Sequence, residues 1–259
     1  MKALLLIATL AACAESAADP KAAPKQPPPK QAPAKQAPQK APPPTEQFEH
    51  DMMVRFHMHE NFDLLRAIEK LVIRGRLDDA KAFARAIAQA PDEPGLGPFT
   101  KQATRVRDLA ASLAEAPNLD EACRREARLA VACAGCHADA GVIPELSKPP
   151  ALPADAASIE ARMARHLWAT DRLWEAAIGG GDEPWSAGLD VLAATPLPFR
   201  DAIGARAKLA RQLQQLADSA RKRKTTDTLA ERGRAYGDIL TVCATCHTMA
   251  VVPQLPSKP

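Results

Sequence analysis

The sequence predicts an all-α protein built from two tandem antiparallel four-helix bundles, and three observations lead to this fold class. Alanine dominates and aromatic residues make up only 4% of the chain, a composition that favours helix over sheet. Proline and glycine interrupt the chain at the ends of eight segments with helical apolar spacing. No segment of the sequence alternates apolar and polar residues as a β-hairpin does. The composition, the apolar periodicity and the positions of proline and glycine therefore all predict a helical fold.

The first twelve residues are predicted to be an export signal and not part of this fold. The stretch MKALLLIATLAAC holds one lysine, an apolar run and then small residues ending at Cys13. The run is too short to span a membrane but is typical of a secretory signal. The segment LAAC resembles the lipobox of bacterial lipoproteins, which implies that residues 1–12 are removed by cleavage before Cys13 and that Cys13 is lipidated. Since Ala14 follows and not Asp, the resemblance implies an outer-membrane lipoprotein. An ordinary signal peptide, cut elsewhere and losing Cys13, is the alternative.

Residues 13–44 are predicted to be a disordered linker between this anchor and the folded part. Ten prolines lie between Pro20 and Pro44, together with five lysines and no acid. Such a segment cannot form a core, and it favours an extended chain. The other 215 residues carry 28 basic and 29 acidic side chains, since six of the 34 basic and two of the 31 acidic residues precede residue 45. This balance gives no indication of nucleic-acid binding.

Residues 45–150 and 151–259 are each predicted to contain four helices. The segments in the first repeat are 45–75, 76–90, 98–116 and 118–137, with Asn118 capping the fourth. Those in the second are 158–181, 183–195, 198–224 and 225–247, with Ser158 capping the first and Thr226 or Asp227 the last. The two halves align at an offset of 109 or 110 residues, so that the repeats could also pack on each other. This order of helices predicts two antiparallel bundles joined near Pro149.

The motif Cys-x-x-Cys-His occurs at the end of the fourth helix in both repeats, as ACAGCH at 132–137 and VCATCH at 242–247. Cysteines three residues apart lie on one side of a helix. In c-type cytochromes such a pair forms thioether bonds to haem, and the adjacent histidine ligates the iron. The alternatives are a thioredoxin-like pair, one zinc site shared by both motifs, or two structural disulfides. Two full motifs behind an export signal favour two covalently bound haem c groups.

The position of the motif resembles the class II, or cytochrome c-prime-like, four-helix-bundle cytochromes, particularly their low-spin relatives. The resemblance covers residues 45–147 and 154–256. It implies that Cys133, Cys136, Cys243 and Cys246 form the thioethers, and that His137 and His247 are the proximal iron ligands. The tandem arrangement and the basic linker depart from the usual single-domain form of that family.

The first helix of each repeat would then face the open side of its haem. His57 and His166 match each other at the repeat offset, so both are candidate distal ligands. Met53 and Met163 are the alternatives, because each lies within about a turn of its histidine. Met52, Met58 and His59 are weaker candidates. Cys123 has no counterpart in the second repeat and is predicted to be an unpaired helix cysteine.

The sequence thus predicts a membrane-anchored dihaem cytochrome that transfers electrons between periplasmic redox partners. It favours an electron carrier over an enzyme. The first alternative is a five-coordinate haem protein that binds or detoxifies NO, CO or peroxide. The second is a structural lipoprotein that its haems merely stabilise.

Overall fold

A computed structural model describes residues 44–91, 96–144, 146, 148–198 and 203–249 of the 259-residue chain. The predictions for residues 1–12, Cys13 and the linker lie outside these residues. The described part contains eight α-helices, one short 3-10 turn and no strand, so the all-α class is confirmed. The helices are α1 Pro44–Ile73, α2 Leu77–Ala88, α3 Thr100–Ala114, α4 Leu119–Ala140, α5 Ile159–Gly179, α6 Asp182–Ala194, α7 Ala205–Arg223 and α8 Leu229–Met249.

Side-chain caps begin three of the long helices. Asn118 accepts a hydrogen bond from the Glu121 N–H at 2.9 Å, and Ser158 accepts one from the Ala161 N–H at 3.2 Å, as predicted. The prediction of Thr226 or Asp227 as the cap of α8 is wrong. Thr228 caps that helix, because its hydroxyl faces the Glu231 N–H while the Glu231 carboxylate accepts from the Thr228 N–H, a reciprocal capping box.

Helices that follow one another in the chain pack side by side within each repeat, and α1 and α5 also pack on α4 and α8 respectively. Further contacts cross from one repeat to the other, between α4 and α5, between α1 and α8, and above all between α4 and α8. All eight helices belong to one compact unit. The division into two separate bundles stays a prediction, because part of each repeat's core is formed by the other.

Two glycines allow α8 to approach α4 closely. A Cβ at Gly233 would lie 3.1 Å from the Val131 side chain, and a Cβ at Gly237 would lie 3.1 Å from the Arg124 Cα. Larger side chains at these positions would therefore push the helices apart. Gly233 of α8 faces Val131 of α4, and Gly237 faces Arg124, so residue numbers rise along α8 as they fall along α4. The two helices therefore run antiparallel. Their C-terminal motifs consequently lie towards opposite ends of the pair.

Aromatic and charged side chains join α1 to α5. Trp174 is 1% exposed, and the Phe62 ring meets its ring edge-on with centroids 4.8 Å apart. The Arg66 guanidinium lies 4.6 Å from the Trp174 ring centroid and also forms an ion pair with Asp171. Trp174 is therefore a core residue at the junction of the two repeats, where its large ring buries apolar surface from α1 and α5.

Candidate functional site: two Cys-x-x-Cys-His motifs

The two cysteine pairs lie near the C-terminal ends of α4 and α8, and all four thiols are free and half-buried. Burial, and then the neighbouring Cys136 thiol, raises the pKa of Cys133 to about 12. Burial, and then Cys246, raises the pKa of Cys243 to about 12 as well. Each pair is thus a pair of neighbouring protonated thiols at neutral pH, placed on one side of its helix.

The histidine of each motif is oriented by a backbone carbonyl of the other repeat. His137 Nδ1 lies 3.0 Å from the Ile178 carbonyl oxygen, and His247 Nδ1 lies 2.9 Å from the Ile73 carbonyl oxygen. A carbonyl oxygen only accepts, so in both rings Nδ1 carries the proton and donates it. Nε2 is then left with its lone pair, which is the form in which imidazole binds a metal.

The ends of α1 and α5 explain why these carbonyls are available. The last carbonyl groups of a helix have no partner within the helix. Gly75 and Gly180 follow the two helices with φ of 74° and 78°, the left-handed conformation that glycine adopts readily. The chain turns away at these glycines, and the Ile73 and Ile178 carbonyls accept from the histidines instead of from a following turn.

The structure also bears on the zinc and disulfide alternatives. Cys123 lies close enough to Cys243 for that thiol to raise its pKa. Cys133 is ten residues further along α4, or about 15 Å by helix rise. A single zinc ion, with Zn–S distances of about 2.3 Å, could not bind both cysteine pairs. Within the described residues, no group of three or more His, Cys, Asp or Glu side chains is suited to a metal ion, and the five cysteines are unpaired.

A cavity lies beside the second motif, between α5, α7 and α8. Its volume is about 90 Å³, and part of it is open to solvent. Cys243, Cys246 and His247 line it from α8, and Met163 and His166 line it from α5. The remaining lining is mostly apolar and comes from Ile73, Leu167, Leu197, Leu209, Ala210, Leu213 and Val242, with Thr170. A mostly apolar lining with few polar groups is typical of a cofactor site. The two thiols and the imidazole are the donor groups that covalent haem attachment requires.

His166 reaches this cavity but its Nε2 is already engaged. The ring is 5% exposed, and Nε2 lies 2.6 Å from the Thr195 carbonyl oxygen, to which it donates. Burial, and then Arg162, lowers the pKa of His166, while the bond to Thr195 opposes the shift. The imidazole is neutral at pH 7, as a ligand must be, yet ligation through Nε2 would require the bond to Thr195 to break.

His57 and Met53 lie in the less buried part of α1. Met53 is 54% exposed, and His57 Nε2 lies 2.9 Å from the Asn61 side-chain nitrogen. The structure thus places both residues on the more exposed N-terminal part of α1. Both remain predictions as distal ligands of the first haem.

The ends of α1 and α5 give a register that sequence alignment missed. Gly75 and Gly180, and likewise Ile73 and Ile178, are 105 residues apart. At this offset Asn61 corresponds to His166, and Met58 corresponds to Met163. His57 precedes Met58 by one residue, which is about 100° around the helix. The paired glycines were visible in the sequence and could have indicated this register.

No protein-family model matches the chain, and comparison with curated proteins and with solved structures likewise gives no match. Among the described residues, no helix combines the length and the apolar character needed to cross a bilayer.

Proposed function

We propose that the protein is a dihaem c-type cytochrome that carries electrons. The observation that carries this proposal is the reciprocal pair of hydrogen bonds, His137 to Ile178 and His247 to Ile73. Both motif histidines are held in the tautomer that leaves Nε2 for iron, each beside two thiols on the same helix. A disulfide or a zinc site would not need this arrangement twice.

The chain's own residues bind, orient and shield the cofactor. Cys133 and Cys136 attach one haem, and Cys243 and Cys246 attach the other. His137 and His247 ligate the irons, and the carbonyls that fix their Nδ1 protons raise the basicity of Nε2. Haem iron supplies the one-electron chemistry when bound. The apolar side chains that line the cavity beside α8 would exclude water from part of the second site.

We further propose that the protein is exported and anchored through lipidated Cys13 to the periplasmic face of a bacterial membrane, more specifically the outer membrane. The proline- and lysine-rich linker of residues 13–44 would hold the helical part away from the bilayer. The partners would be periplasmic redox proteins that reach the haem edges. This part of the proposal is supported by the sequence alone.

For the sixth iron ligand, the helix register supports a methionine pair, Met58 and Met163, over His57 and His166. Met163 lines the same cavity as His247 and is half-buried, whereas His166 Nε2 is engaged by Thr195. Met58 occupies the corresponding place in α1, and His57 lies about a quarter turn away from it. A thioether ligand would give a higher reduction potential than a second imidazole, because it favours ferrous iron.

The purified protein should hold two haems by covalent bonds. After extraction with acidified acetone, its mass should remain that of the processed chain plus two haems, because thioether bonds survive this treatment. The reduced protein should show a c-type absorption spectrum that changes little when CO is added, because both irons are six-coordinate. Release of all haem into the acetone would contradict the proposal.

A five-coordinate second haem is the alternative that a specific observation favours. If His166 keeps its hydrogen bond to the Thr195 carbonyl and Met163 does not reach the iron, the partly open cavity leaves room for NO, CO or peroxide. Immediate CO binding by one of the two haems in wild-type protein would support gas binding over electron transfer. The same spectrum therefore separates the two functions.

Replacing Met163 by leucine should open the second haem to CO and remove half of the sulfur-to-iron absorption near the red end of the spectrum. The leucine keeps the apolar volume, so the change reports ligation and not packing. The matched variant His166→Ala should leave this absorption in place. If His166→Ala opens the haem and Met163→Leu does not, His166 is the ligand, as the sequence alignment suggested.

A further inference from the structure

Three buried polar side chains from three helices meet where the two repeats join. Glu69 of α1 is 1% exposed, and Glu126 of α4 and Tyr236 of α8 are fully buried. The Arg66 guanidinium donates to Glu69 and extends the network to Asp171 of α5. Two carboxyl groups in one apolar junction are costly unless protons or cations compensate them. We call these three side chains, Glu69, Glu126 and Tyr236, the junction cluster.

Both carboxylate oxygens of Glu69 accept hydrogen bonds. The Tyr236 hydroxyl donates to Oε1 at 3.0 Å, and Arg66 Nη1 donates to Oε2 at 2.8 Å. These donors favour the charged form, but burial disfavours it more strongly. Burial raises the pKa of Glu69 to about 7, although Arg66 and Tyr236 oppose the shift. Glu69 is thus an ionisable group that titrates in the neutral range.

Glu126 has no such partners. Neither of its carboxylate oxygens has a hydrogen-bond partner in the structure, although both are inaccessible to solvent. Burial, and next the nearby Glu69 carboxylate, raises the pKa of Glu126 well above its usual range. The Glu126 side chain therefore keeps its proton and adds no second negative charge near Glu69.

The junction cluster lies between the two motifs along the helices that carry them. Glu126 precedes Cys133 by seven residues, and Tyr236 precedes Cys243 by seven residues, which is about two turns in each helix. Glu69 is about one turn before Ile73, whose carbonyl orients His247. Glu69 also raises the pKa of Cys243, and Glu126 that of Cys133, so both carboxyls act electrostatically on the positions that would bear haem.

We propose that Glu69 and Glu126 form a proton-binding site that takes up a proton from water when a neighbouring haem is reduced. The inference rests on the proposed function. In the coupled step, an external one-electron donor reduces ferric to ferrous iron, and the Glu69 carboxylate becomes a carboxylic acid. One negative charge enters the iron site and one proton enters the junction cluster, so the charge of the buried region does not change. Since an uncompensated charge is costly there, each event favours the other.

The direction of the pH dependence follows from this balance. Reduction removes a positive charge near Glu69 and raises its pKa further. Below the oxidised-state pKa the carboxyl is protonated in both states, and above the reduced-state pKa it is ionised in both, so the potential is constant at each extreme. Between the two, in a window that begins near pH 7, the potential falls as the pH rises, by at most about 59 mV per pH unit for one proton per electron.

Other charged and ionisable groups around the cluster set the position of this window. On α1, Arg66 and Lys70 lower the pKa of Glu69, and on α5 Asp171 raises it. On α4 and α8 the ionisable neighbours are Cys123, Cys133, Cys243 and Tyr236. With haem attached, Cys133 and Cys243 would be neutral thioethers. Their conversion leaves Glu69 as the acid of the cluster that exchanges a proton at neutral pH, with the protonated Glu126 carboxyl beside it.

The test is a potentiometric titration of the full haem-loaded protein at several values between about pH 5 and pH 9. The wild type should show the falling segment, and Glu69→Gln, which keeps a hydrogen-bonding side chain of similar size, should lose it. Asp238→Asn, which changes an exposed acid on α8, should retain it. A flat wild-type profile, or an unchanged profile in Glu69→Gln, would overturn the proposal even if both haems are present.

An infrared difference spectrum of the wild type gives a second readout that needs no variant. Reduced-minus-oxidised spectra near pH 7 should show a new carbonyl band of a protonated carboxylic acid that shifts in D₂O. Absence of this band while the haem signals change would reject the proton site and leave the cytochrome assignment standing. Absence of covalent haem would reject both, so the two failures are distinguishable.

Discussion

Replacing Cys243 and Cys246 together by serine should leave a protein with one covalent haem in place of two. The hydroxyl groups cannot form thioether bonds, so the second haem would be lost on denaturation. The first haem should be kept, because Cys133, Cys136 and the Ile178 carbonyl that holds His137 are unchanged. The measurement is the mass of the denatured protein, together with the haem absorbance per chain.

The reciprocal change of Cys133 and Cys136 should remove the other haem and leave the second. Cys123→Ala is the matched control, because Cys123 is fully buried in α4 but lies outside both motifs. That variant should keep two haems even if its stability falls. Loss of a haem from the control, or retention of two haems by a double-serine variant, would show that the motifs do not attach haem independently.

Trp174→Ala should lower the free energy of unfolding by about 3–5 kcal/mol, the usual cost of removing a buried aromatic side chain. The indole is buried against Phe62 and Arg66 between α1 and α5, so the cavity would open at the junction of the repeats. Urea denaturation followed by circular dichroism measures the loss, with a lower midpoint and a similar slope expected.

Two further tryptophan variants make this prediction specific. Trp174→Phe should cost much less, because it keeps an aromatic ring and removes an indole N–H that is buried without a partner. Trp168→Ala should also cost less, since that side chain is only half-buried and donates to the Pro150 carbonyl at 2.9 Å. Equal losses in all three variants would mean that the junction does not depend on the Trp174 ring.

The helices and most of their ends could be predicted from the sequence because they depend on local features. The caps at Asn118 and Ser158 and the glycine at position 75 are signals within a few residues of the helix ends. The start of α8 was misplaced because Thr226, Asp227 and Thr228 are all acceptable caps. Only the position of Glu231, three residues after Thr228, distinguishes them by completing a capping box.

The relation between the repeats could not be predicted because it depends on contacts between distant residues. The bonds from His137 to Ile178 and from His247 to Ile73 use backbone carbonyls, which every residue has. Gly233 and Gly237 differ from the larger residues of α4 that face them, but their role in a close approach is visible only in three dimensions. Glu126 is the one local signal of the junction cluster, as an acid on the otherwise apolar face of α4.

Because each motif histidine is hydrogen-bonded to the other repeat, the two sites are completed in a fixed order as the chain is synthesised. A ribosome releases α1 to α4 well before α5, so the nascent N-terminal half contains His137 without the carbonyl that orients it. That half also lacks α8, whose Gly233 and Gly237 lie close against α4. A chain that stops in the middle would therefore present an unoriented histidine and an exposed helix face to chaperones and proteases. The carbonyl that orients His137 is present once α5 has been made, whereas the second site waits for α8, which carries His247 itself.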